Sequence, residues 1–178
     1  MTVHPILRYA AIYGLLSGVV IIAILIVGMN AGGIGHSMWF GYLVMLAALT
    51  FIFVGVKRYR DIEKGGVIRF LPAFGMGLAI AVIASVTYVA IWEGYLATTG
   101  YRFMDDYIAS TIAAQRAAGV SGAELAGQIA ELETMRIQYA NPLIRLPMTF
   151  CEVFPVGLIV SLISAAILRN PRVLPLRG

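Results

Sequence analysis

Three segments of this chain run for about 20 residues without a charge, and a fourth carries one acid. They are Tyr9–Val27, Ser37–Val56, Phe70–Trp92 and Leu146–Leu168, the last interrupted by Glu152. As helices rising ~1.5 Å per residue, each is long enough to cross a hydrocarbon core of ~30 Å. That feature predicts an all-α, polytopic membrane bundle with transmembrane helices at 7–28, 37–56, 70–93 and 143–168. The chain of 178 residues is 60% hydrophobic and only 12% charged, against about 25% charge in a typical soluble domain. Four spans and one further segment use nearly all of it, so a single membrane domain over 1–178 is expected. The run after Arg8 is too long for a signal-peptide core and lacks a small-residue cleavage pattern. It reads as an uncleaved first helix.

The net charge of +4 is no nucleic-acid signature, because the bases cluster at span ends. The connection Met29–His36 has no Lys or Arg, whereas the next holds Lys57, Arg58, Arg60, Lys64 and Arg69. Arg8 precedes the first span, and Arg169, Arg172 and Arg177 follow the last. This bias predicts a cytoplasmic N-terminus, second connection and tail, with the first and third connections outside. Trp39, Tyr42, Trp92 and Tyr95 would then sit at the outer interface, where amphipathic rings are favoured. The basic connection reads first as this topology signal and second as a contact for anionic lipid headgroups through its five bases. Gly65-Gly66 permits positive φ at a tight reversal there.

Residues 101–140 have helical periodicity rather than the look of a loop. Phe103, Met104, Tyr107, Ile108, Thr111 and Ile112 recur on one stripe, and Leu125, Ile129, Leu132, Met135 and Tyr139 on another. Gly119 separates them, Ser121 and Glu124 form an S-x-x-E capping box, and Asn141-Pro142 ends the second helix and starts the last span. The expectation is an extramembrane helical hairpin between the third and fourth spans. Its apolar faces either pack on each other and the bundle rim or dock a partner. Small residues recur every four positions at Ala10, Gly14 and Gly18, at Ala73, Gly77, Ala81 and Ser85, and at Gly157, Ser161 and Ala165. Such stripes let helix backbones approach closely, within one chain or between copies.

The candidate polar site is Glu93, Glu152, Arg145 and Tyr88. Glu93 and Arg145 fall near the outer interface, each about 35 Å from the opposite end of its span. Glu152 lies about 24 Å from the inner end and Tyr88 at about 27 Å, both inside the outer leaflet. Pro155 follows Glu152 by three residues and frees the carbonyl of Cys151. A charge in lipid costs ~3 kcal/mol or more, so Glu152 is expected to face the bundle, paired or neutral. One reading is a proton- or cation-binding carboxylate with Glu93 as second acid. The other is a structural bond among Glu152, Tyr88 and Arg145, with Glu93 held by the same arginine. His4 and His36 are isolated, so no metal or cofactor is expected, and no serine has a neighbouring base. Cys151 is the only cysteine, which rules out an intrachain disulfide.

Three stretches carry a family resemblance: GYLVMLAALTFIFVGVKRYRD (Gly41–Asp61), GGVIRFLPAFGMGLAIAVIASVTYVAIWE (Gly65–Glu93) and NPLIRLPMTFCEVFPVGLIVSLISAAILR (Asn141–Arg169). Through KRYRD, GG-x-I-x-F, the Trp92-Glu93 pair and E-x-F-P-V-G-L, the chain resembles the bacterial membrane proteins grouped as domain of unknown function 4199. It departs at Leu71-Pro72, where a small and a more polar residue are expected. The resemblance covers most of residues 6–169 and implies a four-helix protein of the bacterial inner membrane. It places Glu93 and Glu152 inside recurring motifs and implies no activity. The leading expectation is a non-enzymatic protein with a binding or assembly role. Its partners would be the bilayer and a second copy or another membrane protein, and not nucleic acid. The rival is a small proton- or cation-coupled transporter acting as an oligomer through its carboxylates.

Overall fold

The structure, a computed structural model, describes residues 4–30 and 38–175. His36, Ser37, Arg177 and most of the first connection, named above, lie outside the described residues. Six helices are present: α1 (Pro5–Asn30), α2 (Met38–Glu63), α3 (Phe70–Thr98), α4 (Phe103–Ala117), α5 (Gly122–Ala140) and α6 (Pro142–Leu168). Among the described residues there is no strand. α1, α2, α3 and α6 are long and apolar enough to cross a membrane. The chain forms two compact units, one from residues 1–91 and 150–178 and the other from 92–149.

In the first unit, small residues set the helix spacing. A Cβ at Gly14 would lie 2.6 Å from the Ile83 Cβ, and one at Gly18 would lie 2.6 Å from the Ala84 carbonyl oxygen. These contacts seat α1 on α3. A Cβ at Gly77 would meet Ser161 at 2.9 Å, and one at Gly157 would meet Ala81 at 2.8 Å, which seats α3 on α6. The stripes that the sequence leaves open to either use therefore close the fold of a single chain. Around these contacts Ile21, Leu49, Ile52, Ile80 and Val153 are fully buried. The Ser17 hydroxyl donates to the Ala48 carbonyl at 3.3 Å, satisfying a buried polar group across α1 and α2.

Three chain segments meet at one end of this unit. Arg8 pairs with Glu63 at 3.0 Å, joining the start of α1 to the end of α2. Tyr9 stacks on Tyr13 and meets Tyr59 edge-on, with centroids 5.8 Å apart in the second pair. Gly65 and Gly66 take φ of 61° and 86°, and the Arg60 carbonyl accepts from the Lys64 and Gly66 N–H groups. The expected left-handed reversal is present. The tail completes this end. Arg60 donates to the carbonyls of Val173 at 3.0 Å and Leu174 at 2.5 Å.

In the second unit, α3 ends where Gly100 (φ 65°) turns left-handed, and the Tyr101 N–H reaches back to the Leu96 carbonyl at 2.8 Å. Gly119 (φ 87°) ends α4 in the same way, with the Val120 N–H on the Gln115 carbonyl. Met104 of α4 is buried, and Ile108, Ile112, Leu125, Ile129 and Leu132 are half-buried. The capping box does not form. Ser121 stands at the N-cap in extended conformation but makes no side-chain cap bond, because Gly122 at φ 62° turns the first N–H groups away from it. Asn141 does cap α6, its Oδ1 accepting from the Leu143 N–H at 3.0 Å, with Pro142 in the first turn.

Candidate functional site

The four candidate polar residues form two pairs, one in each unit. In the second unit, Arg145 near the start of α6 faces Glu93 near the end of α3. The guanidinium grips the carboxylate bidentately, Nε to Oε1 at 2.6 Å and a terminal nitrogen to Oε2 at 2.8 Å. The other terminal nitrogen donates to the Tyr139 carbonyl at 3.0 Å. Fork geometry makes this one of the stronger ion-pair types, and burial of Arg145 limits screening. Tyr101 and Tyr139 flank the same guanidinium, with ring centroids 5.1 and 5.7 Å away.

Trp92 belongs to this cluster. Its indole N–H donates to the Tyr139 hydroxyl at 2.7 Å, and Phe103 meets its ring edge-on at 4.9 Å. The sequence places Trp92 at the lipid interface, but the ring is buried and its polar edge is used within the protein. Trp39, 83% exposed, and the exposed Tyr42 have the surface position expected of interfacial rings. Tyr101 is a non-glycine residue at φ 57°, a conformation that costs about 1–2 kcal/mol for a residue with a Cβ. On the exposed side of the cluster Arg136 binds Glu133 and reaches Asp105 at 3.4 Å. Its hydrogen bond and charge hold the Glu133 carboxyl below the usual carboxylate range.

In the first unit, the Tyr88 hydroxyl of α3 donates to Glu152 Oε2 of α6 at 3.1 Å. Tyr88 is buried. Glu152 is exposed, as are Cys151 and Pro155 beside it. The expected bond between Glu152 and Tyr88 is present, Arg145 binds Glu93 instead of joining it, and the Glu152 side chain is exposed rather than interior. Helical geometry explains the difference. The inward stripe of α6 is Val153, Gly157, Ser161, Ser164 and Leu168, all buried, and Glu152 falls one position off it. Its side chain reaches only as far as the Tyr88 hydroxyl.

The basic connection separates into two groups. Arg58, Lys64 and Arg69 are exposed, with Lys64 also lying over the Tyr59 ring at 5.7 Å. Arg60 is not at the surface. It is fully buried, its Nε binds Asp61 Oδ1 at 2.8 Å, and its two terminal nitrogens hold the tail carbonyls. A buried guanidinium so engaged cannot also meet a headgroup. Lys57 is half-buried and binds Asp61 Oδ2 at 2.5 Å. Charge counting could not reveal this, because the partner carbonyls lie more than 110 residues away in a tail without a motif.

Among the described residues, no group of His, Cys, Asp and Glu side chains could hold a metal ion. Comparisons with curated proteins and with solved structures return no match. The family described as Protein of unknown function (DUF4199) matches residues 8–170, nearly the whole chain. This multi-pass membrane protein belongs to that family.

Proposed function

We propose that this is a non-enzymatic assembly protein of the bacterial inner membrane, and that the outer face of α6 joins one copy to a second. The supporting observation is Glu152, an exposed carboxyl inside a segment long enough to span the membrane. Facing acyl chains, an ionised side chain costs ~3 kcal/mol or more, which a second copy relieves by covering it. Around Glu152 the exposed face is apolar, with Met148, Ile159 and Leu162. A two-fold axis near this face sets one Glu152 against the other.

In this reading both termini and the basic connection face the cytoplasm, and residues 101–140 form the extramembrane hairpin. The Lys and Arg distribution supports that orientation, as does the meeting of Arg8, the Gly65-Gly66 reversal and the tail at one end of the first unit. Arg58, Lys64 and Arg69 remain available to anionic headgroups.

Cys151 provides the test, being the only cysteine and exposed beside Glu152. Oxidation of the protein in its own membranes is expected to give a disulfide-linked dimer. Glu152→Leu is expected to lower the yield severalfold. A wild-type protein that stays monomeric throughout refutes the reading, as does a leucine variant that cross-links equally well. The Tyr88–Glu152 bond favours a second reading, in which the oligomer moves a proton or cation through that carboxyl. It requires pH-gradient-dependent flux in liposomes that Glu152→Gln abolishes.

A further inference from the structure

Helices α1 and α3 run in the same direction, because Gly14 faces Ile83 and Gly18 faces Ala84 and Thr87. At those glycines the two helices touch. A Cβ at either would lie 2.6 Å from an atom of α3. Nearer their starts the helices part. Gly75 of α3 is exposed, and a Cβ there would meet nothing within 4 Å. The parting leaves an apolar groove of about 520 Å³, lined by Leu7 and Ala10 of α1 and by Gly75, Leu78, Ala79 and Val82 of α3. It runs ~12 Å along α3, from Gly75 to Ile83, close to the ~15 Å of hydrocarbon in one leaflet. His4, just before α1, lines its mouth.

Two observations bear on what fills it. The first is its surroundings. Leu7, Gly75 and Val82 are exposed, so the groove opens sideways on the surface of two helices apolar enough to span a membrane. An unfilled gap forfeits the dispersion contacts of the atoms that line it, and acyl chains are the apolar solvent on that side. The second is charge. At the end where both helices start, Arg8, the five bases of the connection, Arg169 and Arg172 stand against Asp61 and Glu63 alone. Both acids are already bound, Asp61 by Lys57 and Arg60 and Glu63 by Arg8. Arg69 is exposed and lies six residues before Gly75, ~9 Å along the helix axis. Such a surplus draws anionic headgroups in preference to zwitterionic ones.

We propose that this groove holds one acyl chain of an anionic phospholipid, with the phosphate at the level of His4 and Arg69. The chain enters from the side and lies along α3, where Gly75 and Ala79 carry no side chain large enough to block its path. The site narrows the headgroup contact proposed for Arg58, Lys64 and Arg69 to one lipid in one place, and it rests on that contact. It does not depend on association through Glu152, which uses α6.

The test is native mass spectrometry of the full chain released from detergent, titrated with dioleoyl phosphatidylglycerol or with dioleoyl phosphatidylcholine. One phosphatidylglycerol per chain is expected, held about tenfold more tightly than phosphatidylcholine. Gly75→Leu puts a side chain into the groove and favours the helix, so it is expected to weaken both lipids about tenfold, with an unfolding temperature equal to or above that of the wild type. Arg69→Gln leaves the groove open and is expected to weaken phosphatidylglycerol alone. Wild-type retention of phosphatidylglycerol in Gly75→Leu overturns the groove and leaves the headgroup contact standing. Equal retention of the two lipids by the wild type overturns both. A lipid-free dimer that Gly75→Leu dissolves assigns the groove to a second copy and overturns the proposal as well.

Discussion

Helices α3 and α6 each carry one acid, and the two acids have opposite surroundings. Glu93 meets a buried arginine that grips both carboxylate oxygens and is flanked by two tyrosine rings. Glu152 meets one phenol hydroxyl and is otherwise exposed on a face whose other side chains are apolar. The first arrangement is complete within one chain, because its charge is neutralised and its orientation fixed. The second is incomplete in a membrane, because one neutral hydrogen bond does not offset the transfer of a carboxylate from water into lipid. Acids of the same type on the same two helices therefore differ in kind. One is bound on both oxygens by a guanidinium, and the other has a single phenol hydroxyl, which is the difference that the proposed association through α6 rests on.

The sharpest way to break this comparison is Arg145→Gln. Removing one partner of a buried pair leaves the other charge unpaired, and losses of about 3–5 kcal/mol are typical. The bond from Arg145 to the Tyr139 carbonyl is lost as well. A large fall in unfolding temperature in nanodiscs is expected. Glu93→Gln combined with Arg145→Gln should recover much of it, since two neutral amides leave no orphaned charge. A single variant as stable as wild type would show that the pair carries no structural load.

Next in size is Gly18→Val. A side chain at Gly18 meets the Ala84 backbone oxygen at 2.6 Å, and a backbone carbonyl cannot turn aside as a flexible side chain can. Overpacking of this kind costs about 1–3 kcal/mol. Gly94→Ala, where nothing lies within 4 Å of the added Cβ, is the matched control and should be neutral or slightly stabilising. Equal stability of the two variants would mean that α1 does not approach α3 as closely as the structure has it.

Arg60→Met tests the other buried arginine. It keeps the aliphatic stem and removes the donors that hold Val173 and Leu174. The tail is expected to become open to protease several times faster than in wild type, with a smaller drop in unfolding temperature than Arg145→Gln gives. An unchanged cleavage rate would mean that the tail is held by something other than this guanidinium.

These residues also mark how far sequence reasoning reached. The long apolar helices were legible because a run of about 20 uncharged residues has few alternatives, and the glycine reversal at 65–66 because few residues other than glycine take positive φ. The Glu93–Arg145 pairing was legible in outline, from two charges expected at similar depth on different helices. The facing of Glu152 was not. One residue of helical phase, 100°, separates the inward stripe from the surface, and the apolar character of α6 on all sides hides which face is which. Arg60 was illegible for another reason, since its partners are main-chain carbonyls that leave no side-chain signature. The place of the Tyr101 ring beside Arg145 was illegible because it depends on a backbone conformation that a residue with a side chain disfavours.

The smallest expected effect belongs to Glu152→Gln. Within one chain it changes a single bond to Tyr88, and such bonds contribute about 0.5–1.5 kcal/mol, part of which glutamine retains. The isolated chain in detergent should therefore unfold within a degree or two of wild type, far from the loss expected for Arg145→Gln. In a bilayer at high protein density the two acids should separate further. A neutral side chain has less need of cover, so association is expected to weaken there although the fold does not. Stability that falls equally in detergent and in bilayers would assign Glu152 to the fold of the single chain and remove its distinction from Glu93. Unchanged stability with weakened association would locate the structural acid in the second unit and the associating acid on α6.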